Sequence, residues 1–276
     1  MKKSLGGKDA SASTGELNTK ADALPEDLTW VKKDLTDSYS LWTSSKDSAQ
    51  VHPYLFTSSM LELAMDKGVR FVQGKALSVE RLDGQTTSVT YAVNGDIQKI
   101  PATDVILCAG AWSSTFPGIN LPVSAVRAHS ITIRPPALSV ISPYVLFTEI
   151  TLPPSPSSRR GTIVQPEIYA RPDNEVYACG PGDNASLPEN VDGVIPDESA
   201  CDTIWQHVAS ISRELRDGTV EKQQACFLPV IAFSKKVPGR KVKTLQGPVI
   251  GEARDFARGL FIATGHTCWV RTFLTR

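Results

Sequence analysis

Two short stretches place glycine at the end of an apolar run, where the missing Cβ lets backbone N–H groups approach a bound ligand closely. Gly259-Leu260-Phe261-Ile262-Ala263-Thr264-Gly265-His266 lies within the segment Gly247 to Trp269, and Asp104-Val105-Ile106-Leu107-Cys108-Ala109-Gly110-Ala111-Trp112-Ser113 repeats its design upstream. Each reads as a buried strand. In open α/β sheets the crevice beyond the carboxyl ends of parallel strands is where ligands sit, so the pair marks a binding edge.

Other chemistry-bearing residues carry less. Gly180-Pro181-Gly182-Asp183-Asn184-Ala185 fits the letters of a phosphate-binding glycine fingerprint and follows a strand, but Ser186-Leu187-Pro188-Glu189 comes next. The fingerprint needs a helix opening at its end to present free N–H groups, so this is read as a turn. The five cysteines (Cys108, Cys179, Cys201, Cys226, Cys268) are widely spaced with no CxxC pair, which predicts buried reduced thiols and no metal site. His52 precedes a helix proline and His129 lies in a strand, so both are read as structural.

The elements that must position these residues fit a chain able to bury a sizeable core in one large or two modest domains. With 29 basic and 29 acidic side chains among 276 residues there is no net charge, which argues against a nucleic-acid partner. No apolar run reaches membrane-spanning length, and residues 1 to 20 lack the apolar core of a signal peptide, so a cytoplasmic location is expected. Met1 to Ala23 has no periodicity and is expected to be disordered. Leu24 to Ala49 should be a partly packed excursion.

From Pro53 the apolar positions Leu55, Met60, Leu63 and Ala64, with Gly68 as a stop, predict a helix. Strands are predicted at Val69 to Val72, Ala76 to Leu82, Ser88 to Val93 and Asp96 to Pro101, with hairpin dipeptides at Asp83-Gly84 and Asn94-Gly95. Val105 to Cys108 is uniformly apolar, as in a parallel strand covered on both faces. After Trp112, prolines punctuate extended runs such as Val126 to Ile133, predicting antiparallel strands, and Leu152 to Gly161 should be a mobile loop. Glu167 to Ala170 and Glu175 to Cys179 make a hairpin. Asp197 caps a helix running to Gly218 through Ala200, Ile204, Val208, Ile211 and Leu215, and Gln223 to Ile231 returns as a strand.

The two glycine-ended strands together resemble the FAD-dependent oxidoreductases related to D-amino acid oxidase and glycine oxidase. The wording from VHPYLFT through RAHSITIRP, EIYARPDNEVYACGPGD and IATGHTCW looks closest to a fungal group of uncertain substrate. The resemblance implies an α/β fold with an antiparallel β lobe: a Rossmann-like FAD-binding domain, incomplete here, with a substrate domain of the D-amino acid oxidase type. The implied division is a partial FAD domain at 52–116 and 233–276, a substrate lobe at 117–232, an irregular excursion at 24–51 and a disordered 1–23. The family's N-terminal βαβ unit is not found, and after Trp269 the resemblance stops before the helix that faces the flavin. The chain therefore looks truncated at both ends, with weak FAD binding and a frayed tail at Val270 to Arg276 expected.

Residue by residue, the resemblance assigns Ala76 to the adenine and Cys108, Ala109, Gly110 and Trp112 to the ADP side. Gly265, His266 and Thr267 match the segment facing the isoalloxazine. Tyr169 matches a pocket tyrosine, and Arg171 is a nearby cation. Leu228-Pro229 stands where the amino acid oxidases carry an Arg-Pro pair whose arginine meets the substrate carboxylate, and Cys268 matches a second arginine after the Gly-His pair, so an α-amino acid substrate is not favoured. The implied function is FAD-dependent oxidation of a C–N bond in an amine or amino-acid-like small molecule, with no catalytic residue assigned. The alternative is a non-catalytic binding or trafficking module that keeps the fold and meets a protein partner.

Overall fold

The computed structural model describes residues 24–42, 49–154, 161–231 and 247–268. The expectations for Met1 to Ala23, for the tail from Trp269, for most of the Leu152 to Gly161 loop and for the Lys-rich segment after Ala232 fall largely outside these residues.

Helix α1 (Pro53–Asp66) forms as expected. His52 caps it, its Nδ1 accepting a 3.5 Å hydrogen bond from Leu55 N, and Gly68 ends it at φ +92°. Its apolar stripe has no cover among the described residues, and Leu55, Met60 and Leu63 are exposed. Val69 to Val72 is not a strand, contrary to the sequence reading, and Val69, Phe71 and Val72 are also exposed. A strand needs a neighbour for its backbone groups, and the described residues supply none there.

Strands β1 (Lys75–Leu82), β2 (Gln85–Val93) and β3 (Asp96–Pro101) form an antiparallel meander. Its turns are Asp83-Gly84 and Asn94-Gly95, with φ positive at both residues of each, as two-residue hairpin loops require. Strand β4 (Val105–Leu107) follows, then a 3-10 turn at Gly110–Thr115. Strands β5 (Val123–Arg134), β6 (Val145–Phe147), β7 (Ile150–Thr151), β8 (Ile163–Val164), β9 (Glu167–Arg171) and β10 (Glu175–Cys179) come next. The predicted helix from Asp197 is two: α2 (Glu198–Ile211) and α3 (Arg213–Arg216). Ser212 leaves helical geometry at φ −139°, ψ 130°, and its hydroxyl caps α3 by accepting from Leu215 N at 3.2 Å. The chain continues as β11 (Thr219–Ile231), β12 (Val249–Glu252) and β13 (Leu260–Thr264).

Two sheets carry the argument. The larger has order β11-β5-β10-β9-β6 and is antiparallel throughout. One of its faces presents Ile131, Ile133, Ile168, Val176 and Ala178, which close on Cys201, Ile204, Val208 and Leu215 of the α2–α3 pair. The excursion at 24–42 packs into the same core through Leu24, Leu28 and Trp30, and Trp30 Nε1 donates to Ser142 Oγ at 3.0 Å.

The smaller sheet has order β12-β13-β4. Strands β13 and β4 run parallel, with Leu260 opposite Val105 and Ile262 opposite Leu107. Val79, Leu107, Ile119, Ala257, Leu260 and Ile262 form its core. Ile106 is 68% exposed, so the expectation that β4 is covered on both faces is corrected. A single layer lies over this sheet among the described residues. No helix in these residues is long and apolar enough to cross a membrane.

Candidate functional site

The parallel pairing of β4 with β13 brings the two glycine-ended segments side by side. Both turn sharply: Gly110 has φ +52°, Gly265 φ +78° and Thr267 φ +51°. Hydroxyls lock the junction, since Thr264 Oγ1 donates to Gly110 O at 3.1 Å and lies 2.7 Å from Ser113 Oγ. Thr267 N donates to Pro229 O at 3.2 Å, which ties the β13 end to the middle of β11. Trp112 meets the same strand, its ring 6.4 Å edge-on from Phe227, while its Nε1 donates to Pro188 O at 2.8 Å.

Cys108, Ala109, Gly110, Trp112, Gly265, His266, Thr267 and the Leu228-Pro229 pair therefore belong to one neighbourhood. Ala76 sits on the meander strand β1, exposed, three residues before Val79, which packs on Leu107 and Leu260. At Gly110 an added Cβ would meet nothing within 4 Å, so the backbone there opens on free space. Gly265 is the opposite case: buried, with an added Cβ placed 2.1 Å from Ile231 Cδ1. One glycine leaves room beside the strand ends and the other fixes how they turn, an arrangement that fits a flat group lying along backbone.

Tyr169 and Arg171 lie elsewhere, on the larger sheet's second face, away from α2. Cross-strand register arranges this face in rows. Phe147, Glu167, Cys179, Ser130 and Gln224 form one row across β6, β9, β10, β5 and β11, and Val145, Tyr169, Tyr177, Thr132 and Lys222 form the next. Tyr169 is thus level with Lys222, and Leu228 is six residues farther along β11, about 20 Å of strand. The structure does not bring Leu228 together with Tyr169.

Arg171 is engaged already. Its Nη1 is 3.0 Å from Glu175 Oε1, and its guanidinium lies 4.5 Å from the centre of the Tyr177 ring. Glu175 in turn lies 3.9 Å from Arg134, which makes a fork to Glu221 at 3.0 Å through both Nε and Nη2. Beside this ladder runs an aromatic chain. Trp42 stacks on Phe147 at 5.3 Å, Phe147 meets Tyr169 edge-on at 6.2 Å, and Tyr169 meets Tyr177 at 5.8 Å.

Glu167 was not singled out from the sequence, yet it lies on this face, at the start of β9 beside the edge strand β6. Tyr169 Oη donates to Glu167 Oε2 at 2.5 Å, and Phe147 and Cys179 flank it on the neighbouring strands. The signal was present as alternation: Glu167, Tyr169 and Arg171 share one face of β9, while Ile168 and Ala170 share the other.

His52 caps α1 as a structural histidine, whereas His129 departs from the expectation of a hydrogen-bonded one: it is 1% exposed, its Nδ1 lies 3.9 Å from Asp183 Oδ2, its Nε2 is buried with no hydrogen-bond partner among the described residues, and burial first, then the Arg127 charge, holds its pKa below the ordinary value. Asp183 is bound by Arg127 Nη2 at 2.9 Å, and that hydrogen bond holds its carboxyl below the usual range. The turn reading of Gly180 to Ala185 also stands. No helix opens at its end, and Asp183 exchanges backbone bonds with Arg127 at 2.7 and 3.0 Å instead. None of the five cysteines is in a disulfide, but only Cys201 is buried, which corrects the expectation of buried thiols.

Comparison with known proteins agrees with this geometry. The chain is 34% identical to the TDA3 protein of Saccharomyces cerevisiae over 89% of its length and 31% identical to the C1F5.03c protein of Schizosaccharomyces pombe over 90%. These matches span 49% and 62% of the two relatives, so the chain covers about half to three fifths of their length. Its fold is that of glycine oxidase from Geobacillus kaustophilus (TM-score 0.64, 14% identity, 92% of this chain and 58% of that one). L-proline dehydrogenase from P. horikoshii is similar to the same degree (TM-score 0.63, 12% identity, 91% and 59%). The pattern of the DAO family, FAD dependent oxidoreductase, matches residues 14–273, and with nearly the whole chain inside that match, this protein belongs to that family.

Proposed function

We propose that the chain forms part of an FAD-dependent enzyme that oxidises a C–N bond in an amine or amino-acid-like small molecule. The observation that carries this reading is the convergence of the parallel β4 and β13 ends with the middle of β11. Gly265, His266 and Thr267 would face the ring, Cys108, Ala109, Gly110 and Trp112 the ADP side, and Ala76 the adenine. When bound, FAD supplies the hydride acceptor. The protein's part is positional. Ile231 packed against Gly265 and the Pro229 carbonyl on Thr267 N fix one wall, while the hydroxyl pair Ser113–Thr264 holds Gly110 against it.

Visible-absorption and fluorescence titration with FAD tests this. The expected outcome is a dissociation constant above about 1 µM, a flavin spectrum perturbed by the protein, and weaker binding in Gly110→Val, whose side chain would enter the space beside the strand end. Anaerobic addition of an amine or amino acid should then bleach the bound flavin. A flavin spectrum untouched at millimolar protein, or bleaching by no member of either class, overturns the proposal.

A further inference from the structure

We propose that Arg127 is a positioning residue for the cofactor site, acting through the loop 183–197, and that it sets how firmly the ADP half of a flavin dinucleotide is held relative to its flavin half. This deepens the reading above and rests on it.

One side chain ties both feet of the loop. At the first foot Arg127 N donates to Asp183 O at 3.0 Å and Asp183 N donates to Arg127 O at 2.7 Å. The guanidinium closes on the same residue, with Nη2 2.9 Å and Nε 3.2 Å from Asp183 Oδ2. At the second foot Nη1 donates to Ile195 O at 3.1 Å, and Asp197 Oδ2 lies 3.9 Å from Nη2. Asp197 is in turn the cap of α2, its Oδ1 accepting from Ala200 N at 3.1 Å. The guanidinium's rigid fork of donors suits it to hold several directions at once.

Between its feet the segment closes on itself, as a compact Ω-loop does. Ala185 N donates to Asp183 Oδ1 at 2.9 Å and Asp192 N to Asn190 Oδ1 at 3.0 Å, beside a 3-10 turn at Val191–Gly193. Gly193 packs so near Pro188 that an added Cβ would lie 2.8 Å from the proline Cβ. A segment so closed shifts as a body, and a change at its feet reaches its far side.

That far side meets the cofactor neighbourhood at two points. Pro188 O accepts the Trp112 Nε1 hydrogen at 2.8 Å, and the indole has no other donor. Glu189 Oε1 lies 2.6 Å from Nζ of Lys75, the residue before Ala76. The Lys75–Glu189 pair is exposed and adds little stability of its own. It reports where the loop lies. Trp112 and Ala76 belong to the ADP and adenine side, whereas the segment facing the ring is held from β11 by Thr267 N donating to Pro229 O at 3.2 Å. The loop thus bears on one half of the cofactor and β11 on the other. With the guanidinium removed, the loop has to be ordered when the nucleotide binds, and that ordering weakens binding.

The test titrates the chain with FAD, FMN and ADP, reading visible absorption for the flavins and NMR for ADP. The unaltered chain should bind ADP and should prefer FAD to FMN by at least about tenfold. Arg127→Gln should weaken FAD and ADP about tenfold while FMN binding changes less than about twofold. In the same variant hydrogen exchange should show lost protection at Ala185 and Val194 and retained protection at Ile204. A loss of overall stability would move FAD and FMN together. In a Trp112→Phe background, Arg127→Gln should add little further loss of ADP affinity, because the two act through one contact. Equal loss of FAD and FMN, unchanged ADP binding in Arg127→Gln, strictly additive effects with Trp112→Phe, or no ADP binding by the unaltered chain overturns the inference. ADP binding that depends on Arg127, with a flavin spectrum left untouched, overturns the flavin reading alone. Should Arg127→Gln fail to fold, Asp183→Asn, which leaves the backbone bridge in place, should shift the FAD to FMN preference in the same direction by a smaller factor, and no shift there overturns the inference.

Discussion

Glycine shows most clearly which residues could be read in advance. Gly265 was legible because it ended an apolar run, and the structure supplies the reason only glycine serves: a positive φ together with Ile231 pressed against it. Gly265→Ala should cost about 1–3 kcal/mol from overpacking, with backbone strain in addition, measured as a lowered denaturant midpoint. Gly182 was legible only as part of a false fingerprint. Its real task is close approach, since an added Cβ would lie 2.6 Å from Val126 Cγ1 and 2.7 Å from Arg127 O. Glu167 stayed hidden because a polar residue in an alternating strand looks solvent-facing until neighbouring strands are known. What surrounds it comes from β6 and β10, and pairing partners are not written in a strand's own letters.

Local patterns settled which elements exist; tertiary partners settled where they begin and end. The meander and the hairpin of β9 and β10 were readable because their turn residues carry the left-handed conformation themselves. Val69 to Val72 was misread because an apolar run predicts a strand only where a neighbour exists to pair with it. The break at Ser212 was missed because the three- and four-residue spacing from Ile204 to Leu215 continues through it. Ser212→Ala should remove the α3 cap and cost about 1 kcal/mol, with the lost protection read locally by hydrogen exchange at Leu215. A larger effect is expected at Trp30, which is 1% exposed and pins the 24–42 excursion into the main core. Trp30→Ala should cost about 3–5 kcal/mol, seen as a large drop in the unfolding midpoint.

At the scale of the whole molecule, pH should act through two buried histidines before it acts through carboxylates. Burial holds both His129 and His207 below the ordinary histidine pKa. Facing His129 are Arg127, which reinforces the shift, and Asp183 and Asp197, which oppose it. The unfolded chain thus takes up protons near the ordinary value, about 6.5, where the folded chain does not. Stability is therefore lost as pH falls below that value, and the loss ends once the folded-state pKa values are passed. Asp183, depressed by its bond to Arg127, contributes stability that is present above the unfolded carboxylate value and lost below it. Chemical denaturation at several pH values should show a first decline beginning near 6.5 and a second near 4. His129→Gln should flatten the first. The division into a small parallel-paired sheet and a larger antiparallel one was foreshadowed by the shift from continuous apolar runs to proline-punctuated strands. Which residues those two sheets bring together at β11 became visible only in three dimensions.

The alternating ladder Arg171–Glu175–Arg134–Glu221 spans four strands, β9, β10, β5 and β11, of the larger sheet. Apolar burial forbids a strand from slipping by one residue, because every side chain would change face, but a two-residue slip keeps the same faces and burial barely opposes it. Charge can oppose it. Sliding β10 by two positions carries Glu175 away from both its arginines and leaves two like-charged guanidiniums facing each other across the gap. The ladder thereby acts as a proofreading mark for strand alignment during folding. Refolding in strong salt, which screens such pairs, should give a larger misaligned, aggregation-prone fraction than refolding in dilute buffer, and Glu175→Gln should show that fraction in dilute buffer as well.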